Sequence, residues 1–324
     1  MSAPALGPVR TPSSSDRADT SSAAGASSRR AARRARTTPA RFDTALGWND
    51  RPGVSWALRI VLCALALGVF AVPFLTILSG ALSTHPSGSS LTFLPHDSTL
   101  LNFRVAGERG IWDYFTNSLV IAGGGLLLQL VVCVLAAYAL ARHRFRGQAL
   151  IMTLFMLTMM LPEEVIAIPL SLVLGHVPVV GIDLKGTVWG VILPLGAWGF
   201  SVMLLTEFMK DIPNEIEEAA RLDGVGELRM LCQVILPLCK PALGVAGVLG
   251  FIMIWDQYLL PLIAAKDPTD YTVTVALSIL RTDPEVGSGV VLAGAVVALV
   301  PSLVVYLLLQ RSLVTGIAAG ATKG

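Results

Sequence analysis

The chain has 324 residues, of which 54% are hydrophobic and 14% are charged, and its mean hydropathy is +0.69. This apolar share exceeds that of ordinary soluble domains, so the composition argues against a soluble domain and predicts a polytopic membrane protein. The formal net charge of +2 excludes little, because the charged residues are distributed unevenly along the chain.

Residues 1–51 are predicted to form a disordered basic cytoplasmic tail. They are rich in Ser, Ala, Pro and Thr, and an arginine cluster lies between Arg29 and Arg36. A segment with so few large apolar side chains cannot bury enough surface to order itself. The cluster precedes a membrane span, which favours contact with solvent or lipid headgroups over contact with nucleic acid.

Six apolar runs predict six transmembrane helices. Each run has 20 to 26 residues, which at about 1.5 Å per residue is enough to cross a hydrocarbon core of about 30 Å. The runs cover residues 57–82, 118–141, 149–174, 187–206, 242–265 and 290–309. The first run is too long for a signal peptide and is therefore predicted to be retained. We accordingly divide the rest of the chain into the first helix with its external loop (52–115), a core of five helices (116–311) and a C-terminal tail (312–324).

Lys and Arg residues predict the orientation of these helices. The segments on the side of the N-terminus carry 19 of the 24 basic residues, and the segments on the opposite side carry 5. Cytoplasmic loops of membrane proteins hold the excess of basic residues. Both termini and the polar segment 211–241 are therefore predicted to be cytoplasmic.

The segment 211–241 has the signals of two short helices. Asp211 is predicted to cap the first helix, with Pro213 in its first turn and Gly224 just beyond its end. The second helix is predicted over 225–236, with apolar residues along one face. Two short amphipathic helices in a loop fit either a docking element or a hairpin on the membrane surface.

Acidic residues within the apolar runs are candidates for a transport path. Glu163 and Glu164 follow Pro162 in the third run, and Asp256 lies in the fifth. Ionisable groups at this depth are energetically costly and often functional. The candidate pathway residues are Glu163, Glu164, Trp255, Asp256, Gln257 and Tyr258. The alternative is that Pro162 breaks the third run and the glutamates cap the broken helix in a wet crevice. Pro194 and Gly196, in the fourth run, are assigned to helix packing.

No catalytic or metal-binding residues are predicted. The four cysteines lack CxxC spacing, the four histidines are scattered among the connections, and GxSxG and HExxH are absent. A phosphate-binding GxxxxGK[ST] loop is absent too, so ATP binding of that type is not expected. Energy for uphill transport must then come from an ion gradient or another subunit.

The segment 211–241 contains a motif that resembles the signature of a known family. Glu218-Ala219-Ala220, Gly224, Val234 and Leu236-Pro237, at their spacing in this chain, resemble the EAA signature of membrane subunits of bacterial ABC importers. Val234 stands where the family usually has Ile. The resemblance implies that the loop docks into a separate cytoplasmic ATPase subunit. The residues it implies for this coupling are Glu217, Glu218, Ala219, Ala220, Arg221, Asp223, Gly224, Leu236 and Pro237.

Other stretches between about residue 100 and the C-terminus are similar to carbohydrate-type permeases related to the smaller membrane subunit of the maltose importer. They include Asn117-Ser118, Ala137-Tyr138-Ala139 and Trp255 with Pro261-Leu262. The C-terminal tail also matches, and the resemblance implies an ATPase-side role for Gln310, Arg311, Gly316, Gly320, Lys323 and Gly324. The family usually has Trp-Asn where this chain has Trp255-Asp256.

The resemblance implies an all-α polytopic membrane protein with the type I ABC importer permease fold, in the bacterial cytoplasmic membrane. It also implies a second related permease, two ATPase subunits that bind ATP and Mg, and an extracytoplasmic solute-binding protein, with no cofactor on this chain. The implied function is sugar import. Two alternatives remain: an importer permease for a non-sugar solute such as a glycerol phosphate ester, or a secondary transporter driven by protons through Glu163, Glu164 and Asp256.

Overall fold

The computed structural model describes residues 56–84 and 97–321, with side chains up to Gln310. Within these ranges every regular element is helical, and the β-structure is one isolated bridge between Ser83 and Ser98. The all-α prediction is confirmed. The tail predicted over 1–51, and Lys323 with Gly324, lie outside the described residues.

Three long helices match predicted spans. They are α1 (Trp56–Ala81), α3 (Ile111–Arg142) and α13 (Ser288–Ala321). By length and composition, the parts Leu58–Ala81, Ile111–Arg142 and Ser288–Gln310 can each cross a membrane. The chain divides into two compact units after Leu67, and the described residues of the first unit all belong to α1.

Three further candidate spans are pairs of shorter helices that meet at sharp bends. The pairs are α4 (Gln148–Met160) with α5 (Glu163–Gly175) at 108°, α6 (Val188–Leu195) with α7 (Gly199–Lys210) at 41°, and α9 (Glu227–Leu238) with α10 (Lys240–Trp255) at 82°. Counted as one span each, they bring the total to six within the described ranges. The helix α10 ends at Trp255, and after a second break at residues 256–258 the chain continues as α11 (Leu259–Ala264). Pro162 accounts for the sharpest bend. A proline disfavours the helical conformation in the residue before it, and Leu161 is accordingly extended (φ −80°, ψ 124°).

Shorter helices fill the connections. They are α2 (Leu101–Glu108), α8 (Asn214–Leu222), α12 (Val273–Thr282) and a 3₁₀ turn (Pro268–Asp270). The helices α2 and α12 have no counterpart among the sequence predictions. They have 8 and 10 residues, so neither produces an apolar run long enough to be read as a span.

Helix α3 lies at the centre of the described helices and packs against α6, α7 and α10. Small residues permit these close contacts: a side chain at Gly125 would touch Ile254 and Leu195, which belong to two different neighbours. One core cluster contains Trp255, and a second contains Cys133, Leu205, Met209 and Ile235. The second cluster joins α3 and α7 to α9, and therefore connects the membrane helices to the segment 211–241.

Two connections are tied together beyond the ends of α5 and α11. The Lys266 ammonium lies 2.8 Å from the Asp183 carboxylate, and the Gly186 N–H donates to the Ala264 carbonyl at 2.7 Å. The hydrogen bond from Lys266 holds the pKa of Asp183 below its ordinary value. Because this pair is exposed, its contribution to stability is small.

The close contact between α4 and α7 is a first test of this packing. A Cβ atom at Gly199 would collide with the Phe155 carbonyl oxygen, which belongs to the backbone and cannot rotate away. We expect Gly199→Ala to lower the free energy of unfolding by about 1–3 kcal/mol. The measurement is thermal unfolding of the purified protein in detergent. Gly247→Ala is the matched control, since a Cβ atom there meets nothing within 4 Å; equal unfolding temperatures for the two variants would contradict the packing.

Candidate functional site

The polar segment 211–241 forms two helices, as predicted, but with shifted ends. Asp211 caps the C-terminus of α7, and Pro213 lies in extended conformation directly before α8 (φ −56°, ψ 137°). The predicted cap at Asp211 is therefore wrong, because the helix begins only after the proline. The second helix covers Glu227–Leu238 instead of 225–236. A π-helical turn at Met230–Ile235 lets a new helical turn begin at Leu236, so Pro237 falls where a missing N–H is tolerated.

Gly224 makes the turn between α8 and α9. Its φ of +78° lies in the left-handed region, which confirms the prediction that this glycine follows the helix. The Gly224 N–H donates to the Arg221 carbonyl at 3.0 Å, and the Val225 N–H donates to the Ala220 carbonyl at 3.1 Å. These two hydrogen bonds form a Schellman motif. Val225 and Ala220 are half-buried against the second core cluster, which fixes the direction in which the chain leaves α8.

Arg142, the last residue of α3, holds the beginning of α8. Its guanidinium donates to the Ile212 carbonyl and to Asn214 Oδ1, each at 3.0 Å. Its Nε atom also forms an ion pair with Glu217, although the two atoms lack hydrogen-bond alignment. The side chains of Arg142 and Glu217 are 5% and 9% exposed. A buried pair of this kind is strongly disrupted when one partner is removed, so α8 is fixed to the end of α3.

Glu227, the first residue of α9, forms a second polar junction. Its two carboxylate oxygens accept hydrogen bonds from the Tyr138 hydroxyl of α3 at 2.7 Å and from Arg221 of α8 at 2.8 Å. His143 lies at 4.0 Å from the same carboxylate. The last turn of α3 therefore contacts both helices of the segment. The sequence signal for these contacts is the group of polar residues Tyr138, Arg142 and His143 at the end of the second apolar run.

The exposed surface of α8 and α9 contains most of the residues predicted for coupling. Glu218, Ala219, Arg221, Asp223, Gly224 and Pro237 are exposed, and Ala220 and Leu236 are half-buried. Glu217 is different, because its carboxylate is buried against Arg142 and its role is to position α8. Leu222 and Leu228, which were not among the residues predicted for coupling, are 89% and 73% exposed. They add apolar area to a segment that also exposes charged side chains.

The breaks in two of the bent helix pairs and the break after α10 converge on one cavity of about 330 Å³. It is lined by the end of α4, the beginning of α5, the break between α6 and α7, and the break after α10. Glu163 and Gln257 meet there: the Gln257 amide donates to the Glu163 carboxylate at 3.1 Å. A smaller neighbouring cavity of about 140 Å³ shares both residues. Glu163 and Glu164 form the first turn of α5, so they open a broken helix, as one of the two sequence interpretations expects.

Side chains of neighbouring helices donate hydrogen bonds to backbone carbonyls at these breaks. The Thr274 hydroxyl donates to the Gln257 carbonyl at 2.9 Å, and the Cys133 thiol of α3 donates to the Trp198 carbonyl at 3.7 Å. Irregular backbone at membrane depth is tolerated where protein groups or a wet cavity satisfy it. Trp198 and Thr158, which also line the cavity, were missed by the sequence reading. The signal that was available is the pair Pro194 and Gly196, which marks the break and was assigned to packing alone.

The remaining candidate pathway residues lie in different surroundings. Trp255 is 3% exposed, stacks on Phe251 and donates its ring N–H to the Ala298 carbonyl, so it packs in the core instead of lining the cavity. Asp256 ends α10 and is exposed, and Glu164 is exposed beside Glu163. Tyr258 is also exposed, and its hydroxyl lies 3.4 Å from that of Ser278.

The C-terminal candidates lie along α13 or beyond it. Gln310 donates from its amide to the Leu307 carbonyl of the preceding turn. The helical backbone extends through Arg311, Gly316 and Gly320 to Ala321.

This architecture defines an α-helical membrane protein with an exposed helical hairpin and a cavity between broken helices. Residues 129–313 match the binding-protein-dependent transport system inner membrane components, and the chain belongs to this family. The family is a transport component, and its members are inner membrane proteins.

The relatives of this chain include named sugar permeases. It is 30% identical over 278 residues to the arabinooligosaccharides transport system permease protein AraQ of Halalkalibacterium halodurans, covering 84% of this chain and 98% of that protein. It is 30% identical over 265 residues to the maltodextrin transport system permease protein MdxG of Bacillus subtilis, covering 79% and 92%. A crystal structure of a bacterial ABC transporter involved in import of the acidic polysaccharide alginate matches with a TM-score of 0.67 and 23% identity, over 81% of this chain and 100% of that one. The predicted importer permease fold is confirmed by this match.

The contact between Arg142 and Glu217 generates a prediction about stability. In Arg142→Met the Glu217 carboxylate stays buried without its cation, and we expect a loss of about 3–5 kcal/mol in the free energy of unfolding. The double variant Arg142→Met with Glu217→Gln should recover more than about 1 kcal/mol of that loss, because the unpaired charge is gone. Denaturant or thermal unfolding in detergent measures both values.

Arg146→Met is the control for this pair. It removes the same charge from an exposed arginine near the end of α3, and surface substitutions usually change stability by less than about 0.5 kcal/mol. If Arg142→Met behaves like Arg146→Met, the pair does not fix α8.

Proposed function

We propose that this protein is a permease subunit of an ATP-driven ABC importer and forms half of the transmembrane path for a sugar. A separate ATPase binds ATP and Mg and hydrolyses the ATP, and this chain holds no cofactor. The observation that carries the proposal is the exposed surface of α8 and α9, which contains the EAA-like residues and is fixed to α3. Family membership and the sugar permeases among the relatives support it.

The surface of α8 and α9 has the properties of a docking site. Leu222 and Leu228 expose apolar area that a partner can cover, and the same segment exposes the charged residues Glu218, Asp223 and Arg229. Buried apolar area at the centre supplies affinity, whereas charges at the rim act more on specificity and association rate. The excess of Lys and Arg on this side of the predicted spans supports a cytoplasmic position, where an ATPase is available.

Force applied to this surface has a direct route into the membrane. Arg142 and Tyr138 attach α8 and α9 to the end of α3, and α3 contacts the break between α6 and α7 through Cys133 and Trp198. When ATP closes the ATPase subunits, the docked helices move with them and α3 rocks as a rigid body. The access of the cavity to the two sides of the membrane then changes, because the ATPase binds one arrangement of the helices better than the other.

The cavity at the helix breaks supplies groups that a sugar needs. Glu163, Gln257 and Thr158 offer acceptors and donors to hydroxyl groups, and Trp198 offers an aromatic surface. Glu164, Asp256 and Tyr258 extend the proposed path on exposed positions near the same breaks, while Trp255 supports the end of α10 from the core. Ligand sites formed by broken helices are a recurrent solution in transporters.

The proposed assembly lies in the bacterial cytoplasmic membrane with both termini of this chain in the cytoplasm. A second related permease covers the exposed apolar faces, and two ATPase subunits dock inside, with Gln310, Arg311, Gly316, Gly320, Lys323 and Gly324 on their side. An extracytoplasmic solute-binding protein delivers the sugar from outside.

Tracer uptake in a deletion strain tests the transport function. The panel contains an arabinooligosaccharide, a maltodextrin and a glycerol phosphate ester, and the strain is complemented with this chain. We expect uptake of a sugar that stops when ATP is depleted and continues after an uncoupler dissipates the proton gradient. Uptake with the opposite energy dependence would instead support a proton-driven transporter, and uptake of the ester alone would support a non-sugar importer.

Gly224 gives a prediction about coupling. Ala at this position must adopt the left-handed conformation, which costs about 1–2 kcal/mol, and relief of that strain displaces α9 from α8. We expect Gly224→Ala to reduce both ATP-dependent uptake and co-purification of the ATPase about tenfold. Gly226→Ala is the matched control, because Gly226 has a φ of −76° and open space around it. Equal uptake by the two variants would contradict a docking role for this turn.

A further inference from the structure

The cavity between the helix breaks carries charge of one sign. Among the residues that the structure places around it, Glu163 is the ionisable one, and the others are polar, apolar or aromatic. Glu164 and Asp256 are next in sequence to the lining residues Glu163 and Gln257 but do not line the cavity themselves. In the five helices that line the cavity (α4, α5, α6, α7 and α10), basic residues occur only at Lys210, the last residue of α7, and Lys240, the first residue of α10.

The charge of Glu163 is not neutralised by a neighbour. Its contact is the neutral amide of Gln257, at 3.1 Å. The salt bridges found in the described part of the chain join other carboxylates to Arg104, Arg109, Arg142, His143, Lys210, Arg221 and Lys266. Glu163 therefore faces the cavity as a carboxylate that holds a hydrogen bond and no counter-ion.

The size and surface of the cavity fit a small polar solute. Its volume of about 330 Å³ lies at the lower end of the range for small-molecule pockets, which is about 300–1,000 Å³. Trp198 is half-buried and Ala197 is exposed at the same break. A solute that passes here meets one negative charge, one amide and one aromatic ring at close range.

We propose that this cavity selects solutes by charge: it admits neutral and amino sugars and rejects sugar acids. The proposal rests on the proposed role in sugar import and specifies its substrate class. A sugar carboxylate beside Glu163 is repelled by a like charge, whereas a sugar ammonium is attracted. Neutral sugars keep the hydrogen bonds to Glu163 and Gln257 without an electrostatic penalty.

The experiment measures the electrostatic potential in the cavity and does not require the transported sugar to be identified. Ala197→Cys places a thiol at the break between α6 and α7, in a background where the exposed cysteines are replaced by Cys63→Ser and Cys232→Ser. The assembled importer in membranes is treated with cationic, neutral and anionic methanethiosulfonates of similar size. Each rate is divided by the rate of the same reagent with a free thiol in solution.

We expect the cationic reagent to react about tenfold faster than the anionic one after this correction, as one nearby carboxylate predicts. Glu163→Gln, which keeps the shape and removes the charge, should bring the ratio close to unity. Glu207→Gln is the control: Glu207 lies on α7, pairs with Lys210 and does not line the cavity, so its substitution should change the ratio less than about twofold.

Three results overturn the proposal: equal corrected rates in the parent, a ratio unchanged by Glu163→Gln, or no reaction with any reagent, which shows that the cavity is covered in the assembled importer. The assay does not involve uptake. A failure of sugar transport in the tracer experiment is therefore a separate result from a failure of charge selection here.

Discussion

Backbone polar groups at membrane depth need partners, and this constraint organises the described part of the molecule. A continuous helix such as α3 satisfies its own N–H and C=O groups, whereas the backbone at the breaks near Pro162, at Gly196 and after Trp255 does not. The Gln257 carbonyl accepts from the Thr274 hydroxyl, and the Trp198 carbonyl, which already accepts from the Val202 N–H, also accepts from the Cys133 thiol. Because the hydroxyl and the thiol lie on other helices, the breaks are held together, and the cavity is where they meet.

The same constraint gives α3 its central position. It is the long helix whose small residues allow α6 and α10 to approach, and its last turn carries Tyr138 and Arg142 outward to Glu227 and to the beginning of α8. One rigid element therefore contacts both the proposed docking surface and a wall of the cavity. A packed helix transmits displacement because protein interiors are close-packed and do not deform gradually.

Charge has two separate uses in this architecture. Around α8 and α9, the carboxylates of Glu217 and Glu227 are paired with arginines and a tyrosine, and they fix the geometry. At the helix breaks, the exposed carboxylate of Glu163 has the Gln257 amide and no cation beside it, so it stays available to a polar solute. The distinction between paired and unpaired carboxylates separates the residues that position helices from those available to a solute.

The sequence by itself determined the membrane class, the number of candidate spans, the turn at Gly224 and the family, because apolar run length, a left-handed glycine and a spaced motif are local properties. It also located Glu163 and Gln257, since polar groups inside apolar runs are rare. Tertiary structure decided that Glu217 is buried, that Trp255 is a core residue and that Trp198 lines the cavity. These outcomes depend on which helices face each other, and that is set by packing between residues far apart in the chain, such as Arg142 with Glu217 and Cys133 with Trp198.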